Sequence, residues 1–149
     1  MPNAYIQLYA QIVFATKNYQ PVIIEAHRDR IEKYICGIVR KTNCKPISIY
    51  CNPNHLHLLI SIHQTTSVAN IVKDVKSSSS RFINENRLVK GHFEWQRGYG
   101  AFSYNQSMIE TVCKYIRNQP EHHRKTTYKE EYIAFLKAFG IEYDEKYVF

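Results

Sequence analysis

Two hydrophobic periods alternate along the chain. Residues 4–16 are rich in β-branched and aromatic types, Ile12, Val13 and Phe14 among them, and predict a strand. Over 25–42 the period changes: Ile31, Tyr34, Ile35, Ile38 and Val39 recur at the spacing of one helical face. Residues 45–51 return to a strand pattern, Asn52-Pro53-Asn54 marks a turn, and 55–63 predict a third strand antiparallel to the second. Ser67 reads as the N-cap of a helix over about 68–86 that buries Val68, Ile71, Val72, Val75, Ser79, Phe82 and Ile83. The aromatic-rich, glycine-punctuated stretch 92–104 predicts a fourth strand with an irregular loop. Ser107 with Glu110 has capping-box spacing and opens a helix near 108, striped by Ile109, Val112, Cys113 and Ile116. Thr127 with Glu130 repeats the signal for a last helix to about 139, which Gly140 is placed to stop. The tail, 141–149, carries Tyr143, Tyr147 and Phe149 and is expected to dock on a surface or on a partner chain.

A hairpin set between two helices implies an antiparallel sheet with helices packed on one face. The expected class is therefore α+β, on the ferredoxin-like plan, with further helices at the C-terminal end. RNA-recognition folds share that plan, so it does not choose a function.

Composition narrows the partners. The chain has 149 residues, 44% of them apolar, which suits one domain over 1–149 with its own core. Its formal net charge of +7 favours a polyanion such as nucleic acid, or an anionic membrane surface. No apolar run reaches the roughly 18 residues of a membrane span, and no secretory signal opens the chain. A cytoplasmic location with reduced thiols is therefore expected, and no two of the four cysteines form a C-x-x-C pair.

Candidate chemistry begins at His55-Leu56-His57. Residues two apart in a strand share a face, so both imidazoles point together while Leu56, Leu58, Ile60 and Ile62 face the core. Such a pair can chelate one divalent ion; two histidines on an open sheet face are the plain alternative. Tyr115 and Gln119 stand four apart on the predicted helix and share one side, although packing also accounts for a helical tyrosine. Pro120 disfavours helical geometry at Gln119 and predicts a bend. In the following stretch His122, His123, Arg124 and Lys125 could contact phosphate, supply a further ligand, or form a solvated connection. Lys73, Lys76, Arg81 and Arg87, then Lys90, His92 and Arg97, are interleaved with Phe93, Trp95, Tyr99, Phe102 and Tyr104, a mixture that suits single strands. Lys73, Lys76, Arg81, Arg97 and Arg124 are the candidate DNA contacts. Cys44 and Cys51 could be drawn with His55 and His57 as a zinc set, but the spacing is not that of a finger. Nucleotide-binding glycine loops are absent.

Together these pieces resemble a family. Val13-Phe14-Ala15-Thr16-Lys17, His55-Leu56-His57-Leu58-Leu59, Ser79-Ser80-Arg81-Phe82, the run from Phe93 to Ser103, the run from Tyr115 to Arg124, and Gly140 to Asp144 are similar, in order, to the small transposases of the insertion-sequence 200/605 type. These are the single-tyrosine HUH enzymes. The resemblance implies His55 and His57 as metal ligands, Gln119 as the third protein ligand and Tyr115 as nucleophile. It implies Mg²⁺ or Mn²⁺, a homodimer, single-stranded DNA with hairpin ends as substrate, and no nucleotide cofactor. The implied reaction cleaves and rejoins DNA through a 5′-phosphotyrosine. Asn54 stands where an Asp is common in the family, and Gln11 where a His is common. A non-catalytic or domesticated single-strand-binding domain of the same fold is the alternative.

Overall fold

In a computed structural model describing residues 4–149, β1 (Tyr9–Ala15), β2 (Lys45–Cys51), β3 (His55–Ser61) and β4 (Gly100–Tyr104) form one sheet. The order is β2-β3-β1-β4 and every pairing is antiparallel, as the ferredoxin-like plan requires. Helix α1 (Glu25–Lys41) joins β1 to β2, and α2 (Val68–Glu85) joins β3 to β4. The first strand begins at Tyr9, not at residue 4. Before it Tyr5, Ile6 and Leu8 stay exposed, with Leu8 accepting one hydrogen bond from Ile62 at 2.8 Å.

Register sorts the side chains. Phe14 lies beside Leu56 and Ile12 beside Leu58, and these join Ile31, Ile35 and Val39 of α1 and Ile71, Val75 and Ile83 of α2 in the main core. Val13 lies beside His57 and Ala15 beside His55, on the opposite face. That face is covered too. On it α3 (Ile109–Arg117) packs Val112 and Ile116 against Leu59. Beside it α5 (Tyr128–Ala138) packs Tyr128 and Leu136 against Val13, Ala15 and Phe102. The C-terminal helices thus form a second layer over the histidines. Gly100 makes room for it: a Cβ there would stand 2.9 Å from the Phe102 ring and 3.1 Å from that of Tyr132. The tail docks on the chain's own surface, where Tyr143 and Val148 join this cluster. Cys44 and Cys51 lie in the main core, across the sheet from the imidazoles, and assemble no zinc set with them. Among the described residues no helix is long and apolar enough to cross a membrane.

Local signals explain most helix ends. The Ser67 side chain accepts from the Asn70 amide at 3.1 Å. Thr127 and Glu130 form a full capping box at the start of α5. Gly140, at φ +64°, ends that helix in a Schellman turn, with Gly140 N–H on the Lys137 carbonyl (3.2 Å) and Ile141 N–H on that of Leu136 (2.9 Å). Ser107 does not cap α3. It lies in a 3₁₀ turn, Gln106–Met108, where the Met108 amide is already bonded to the Asn105 carbonyl and the Ser107 hydroxyl to the Asn105 side chain.

Replacing Thr127 by Ala should therefore lower stability by about 1 kcal/mol. Ser107→Ala should leave it within about 0.5 kcal/mol of the parent. Thermal denaturation of the two variants side by side tests this, and equal losses at both positions would contradict the assignment.

Candidate active site

The sheet face under α3 and α5 gathers the polar residues that sequence reasoning singled out, around one carboxylate that it did not. Glu131, on α5, is 3% exposed. Its two oxygens have different neighbours. Oε1 lies 2.9 Å from His57 Nε2, 3.3 Å from His55 Nε2 and 3.2 Å from His123 Nε2. Oε2 accepts from the Tyr115 hydroxyl and from Gln119 Nε2 (3.3 Å), and lies 3.2 Å from His122 Nε2.

Tyr115 and Gln119 reach this point along a broken helix. The first helix ends at Arg117, and a short α4 (Gln119–His122) restarts after Asn118, whose ψ is +17°. Pro120 has no N–H with which to continue the ladder, which accounts for the break. The restart carries Gln119 into full burial and lays His122 against the Tyr115 hydroxyl at 3.1 Å.

Each imidazole is oriented from behind. His55 Nδ1 meets the Asn54 side-chain oxygen at 2.7 Å, and His123 Nδ1 the Thr126 carbonyl at 2.7 Å. His57 Nδ1 meets Gln11 Nε2 at 2.9 Å, and Gln11 Oε1 accepts from the Tyr104 hydroxyl at 2.8 Å. Asn52 Nδ2 lies 3.0 Å from both His55 Nε2 and Gln119 Oε1. Asn54 and Gln11, the two departures from the family's common pattern, thus both touch the histidines. Second-layer contacts of this kind fix ring orientation and tautomer in metal sites.

Burial sets the charges. It pushes His55 down to about 4, so this ring is neutral at neutral pH. Burial alone would raise the Glu131 carboxyl, but the neighbouring imidazoles of His123, His55 and His57 hold it well below the usual carboxylate range. The Tyr115 phenol is pushed well above its usual value by burial first, and then by the Glu131 carboxylate. As it stands, the phenol keeps its proton.

Two clefts flank the group. One, of about 530 Å³, runs between α3 and α5 to Tyr115 and Glu131, with Val112, Phe135 and Phe139 on its walls and Gln11 and Tyr104 at its floor. The other, of about 420 Å³, opens on His55 and His123 and is edged by Asn54, Arg124 and Lys125.

The candidate DNA contacts divide by position. Arg124 is exposed at the second cleft, in an ion pair with Glu121 at 3.1 Å. Lys73 and Arg81 are exposed on α2, which packs on the sheet face opposite the histidines. The Lys76 ammonium donates to the Gln96 and Gly98 carbonyls (2.8 and 2.7 Å), so it fastens the loop that presents exposed Arg97. Phe93 and Phe102 are core residues, 1% exposed each.

His55, His57, His123 and Glu131 offer donor atoms that all lie within 4.8 Å of one another. Imidazole nitrogen with one carboxylate oxygen is a donor set that suits a divalent ion, so the residues fit the implied metal. Glu131 was legible to one test: it sits with Tyr128 and Phe135 on the inward stripe of α5, where a carboxylate is out of place.

A family model described as "Transposase IS200 like" matches residues 4–119. The ISDra2 transposase TnpA of Deinococcus radiodurans is 23% identical over 118 residues, covering 76% of this chain and 84% of that protein. Two solved structures share the fold. A putative transposase from Deinococcus radiodurans superposes with a TM-score of 0.63 at 18% identity, over 80% of this chain and 95% of that one. A REP-associated tyrosine transposase bound to a REP hairpin gives 0.62 at 13% identity, over 83% and 73%. His122, His123 and Glu131 lie beyond the matched residues of the family model.

The depressed His55 value predicts acid sensitivity in the metal-free protein. Unfolded chains take up a proton at His55 near 6.5, whereas the folded protein resists until about 4. Stability should therefore fall as pH drops through that window, by about 3 kcal/mol in full. Glu131, held low, adds to the loss below its ordinary value of 4.5. Urea denaturation of chelator-treated protein across that range measures it, and a flat profile would contradict it.

Proposed function

The chain belongs to the IS200-like transposase family, and on that premise we propose that it cleaves and rejoins single-stranded DNA at hairpin-bearing ends, with Tyr115 as nucleophile. The observation that carries the reading is convergence: the Tyr115 hydroxyl and the Nε2 atoms of His55 and His57 all meet on the Glu131 carboxylate. Nucleophile and metal-ligand candidates therefore share one buried point, as a phosphoryl transfer requires. The hairpin substrate is supported by the REP-bound structure of similar fold.

In the proposed reaction the Tyr115 oxygen forms a bond to a backbone phosphorus while the bond from phosphorus to the 3′-oxygen breaks. The products are a 5′-phosphotyrosine and a 3′-hydroxyl, which takes its proton from water. Attack by another 3′-hydroxyl then restores a phosphodiester and returns the phenol. The covalent link conserves the phosphodiester, so no nucleotide cofactor is needed. Glu131 Oε2 is placed to receive the phenolic proton, since it already accepts that hydrogen bond. His122, 3.1 Å from the same hydroxyl, holds it from the side of the open cleft. His55 and His57 are proposed as ligands of a Mg²⁺ or Mn²⁺ ion, with the buried Gln119 amide beside them as the third. When bound, that ion would supply Lewis-acid polarisation of the phosphate and favour the phenolate. Arg124 and Lys125, at the mouth of the second cleft, suit the flanking phosphates. A homodimer is proposed on the family resemblance.

The test uses the purified protein with labelled single-stranded DNA carrying the element's own hairpin ends, plus Mn²⁺ or Mg²⁺. A denaturing gel should show a covalent adduct that requires metal. Tyr115→Phe should abolish the adduct and leave DNA binding within about threefold, since the loss is one hydroxyl at the reacting atom. Adduct retained in that variant removes Tyr115 from the role. Binding by the parent protein without any adduct would favour a non-catalytic single-strand-binding domain.

A further inference from the structure

Two features of the centre are not used by this reaction: His123, and the Oε1 atom of Glu131. The His123 ring is tied through Nδ1 to the Thr126 carbonyl at 2.7 Å. A carbonyl oxygen only accepts, so the proton of the neutral ring sits on Nδ1 and Nε2 carries a bare lone pair. His55 is fixed in the same tautomer by the Asn54 side-chain oxygen at 2.7 Å. Both nitrogens stand beside Glu131 Oε1, at 3.2 and 3.3 Å, and that of His55 also lies 3.0 Å from the Asn52 amide nitrogen. Electron-rich atoms facing one another in a buried site call for a cation among them. His57 approaches the same oxygen at 2.9 Å, and turning over the Gln11 amide behind it would let Nδ1 donate and leave Nε2 free.

Spacing agrees. Donors about 2.1 Å from one ion stand roughly 3.0–3.4 Å apart in octahedral or tetrahedral sets. The three contacts from Oε1 to imidazole Nε2 span 2.9–3.3 Å. Hydrogen bonds here trace the edges that a metal would hold.

We propose that His123, through Nε2, and Glu131, through Oε1, are ligands of the same divalent ion as His55 and His57. This rests on the reading that the centre binds a metal, and extends it to two residues beyond the matched span of the family model. The two oxygens of Glu131 then have separate tasks: Oε1 holds the ion, and Oε2 holds the Tyr115 hydroxyl. One carboxylate would fix the distance between nucleophile and metal. Three imidazoles with a single carboxylate favour Mn²⁺ over Mg²⁺.

The experiment uses the full chain, stripped of metal and free of DNA. Mn²⁺ is titrated calorimetrically, and pulsed electron paramagnetic resonance of the loaded protein counts the imidazoles bound to the ion. The parent should show three imidazoles and His123→Ala two, with affinity reduced at least tenfold, about the least that a lost ligand costs. Glu131→Gln should weaken Mn²⁺ binding by a similar factor or more, with folding checked by circular dichroism. If Glu131→Gln does not fold, the imidazole count and His123→Ala decide. Two imidazoles in the parent would overturn the proposal. So would undiminished Mn²⁺ affinity in both variants when His57→Ala has lost it, an outcome that leaves the metal reading standing. No uptake of Mn²⁺ by the parent protein would instead remove the metal reading itself, and this proposal with it.

Discussion

A carboxylate out of reach of water needs donors or cations on every side, or its burial costs several kcal/mol. Glu131 stands within reach of six groups: Tyr115 and Gln119 donate to it, and His55, His57, His122 and His123 crowd it with imidazole nitrogens, which hold it through a shared proton or cation. They come from β3, α3, α4 and the connection that follows. Each element must therefore arrive within hydrogen-bond reach of one point, and local features serve that end. The Thr127 capping box fixes the first turn of α5, in which Glu131 sits. The interruption before Pro120 turns Gln119 and His122 under Tyr115. Gly100 lets α5 settle close to the sheet.

Much of this was legible, for physical reasons that differ from residue to residue. The two-residue period of a strand placed His55 and His57 together, and the register bears that out. Ser67 and Thr127 acted as helix starts because their hydroxyls found the expected amides. Ser107 had the same spacing and failed, because it lies inside a 3₁₀ turn and α3 starts one residue later, with Met108 at its N-cap. Tyr115 and Gln119 converge although the helix between them is broken, which their spacing alone did not foresee. The meeting of His57 with Glu131 spans 74 residues, and no local pattern encodes a contact so remote. Lys76 read as a candidate DNA contact; its ammonium also reaches two loop carbonyls, a contact that only folding supplies.

The carboxylate also alters the electrostatics expected from the sequence. Two imidazoles and an amide would leave a bound divalent ion with its whole charge. As the ligand proposed above, Glu131 would subtract one unit, giving up some pull on a phosphate in exchange for firmer retention of the ion. It also opposes ionisation of the phenol it holds, so positive charge beside Tyr115 is what the site lacks without metal. In the proposed reaction, nucleophile and ion would in this sense depend on one another.

Because Glu131 lies on the last helix, the order of synthesis acquires a meaning. A chain halted on the ribosome before residue 128 already has the whole sheet, the histidine pair and the tyrosine. It has no carboxylate to gather them, and Val13, Ala15 and Phe102 lose the helix that covers them. Copies terminated there would expose that apolar face and be prey for proteolysis. The cover over the histidine face is thus supplied by the part of the fold that is made after the sheet.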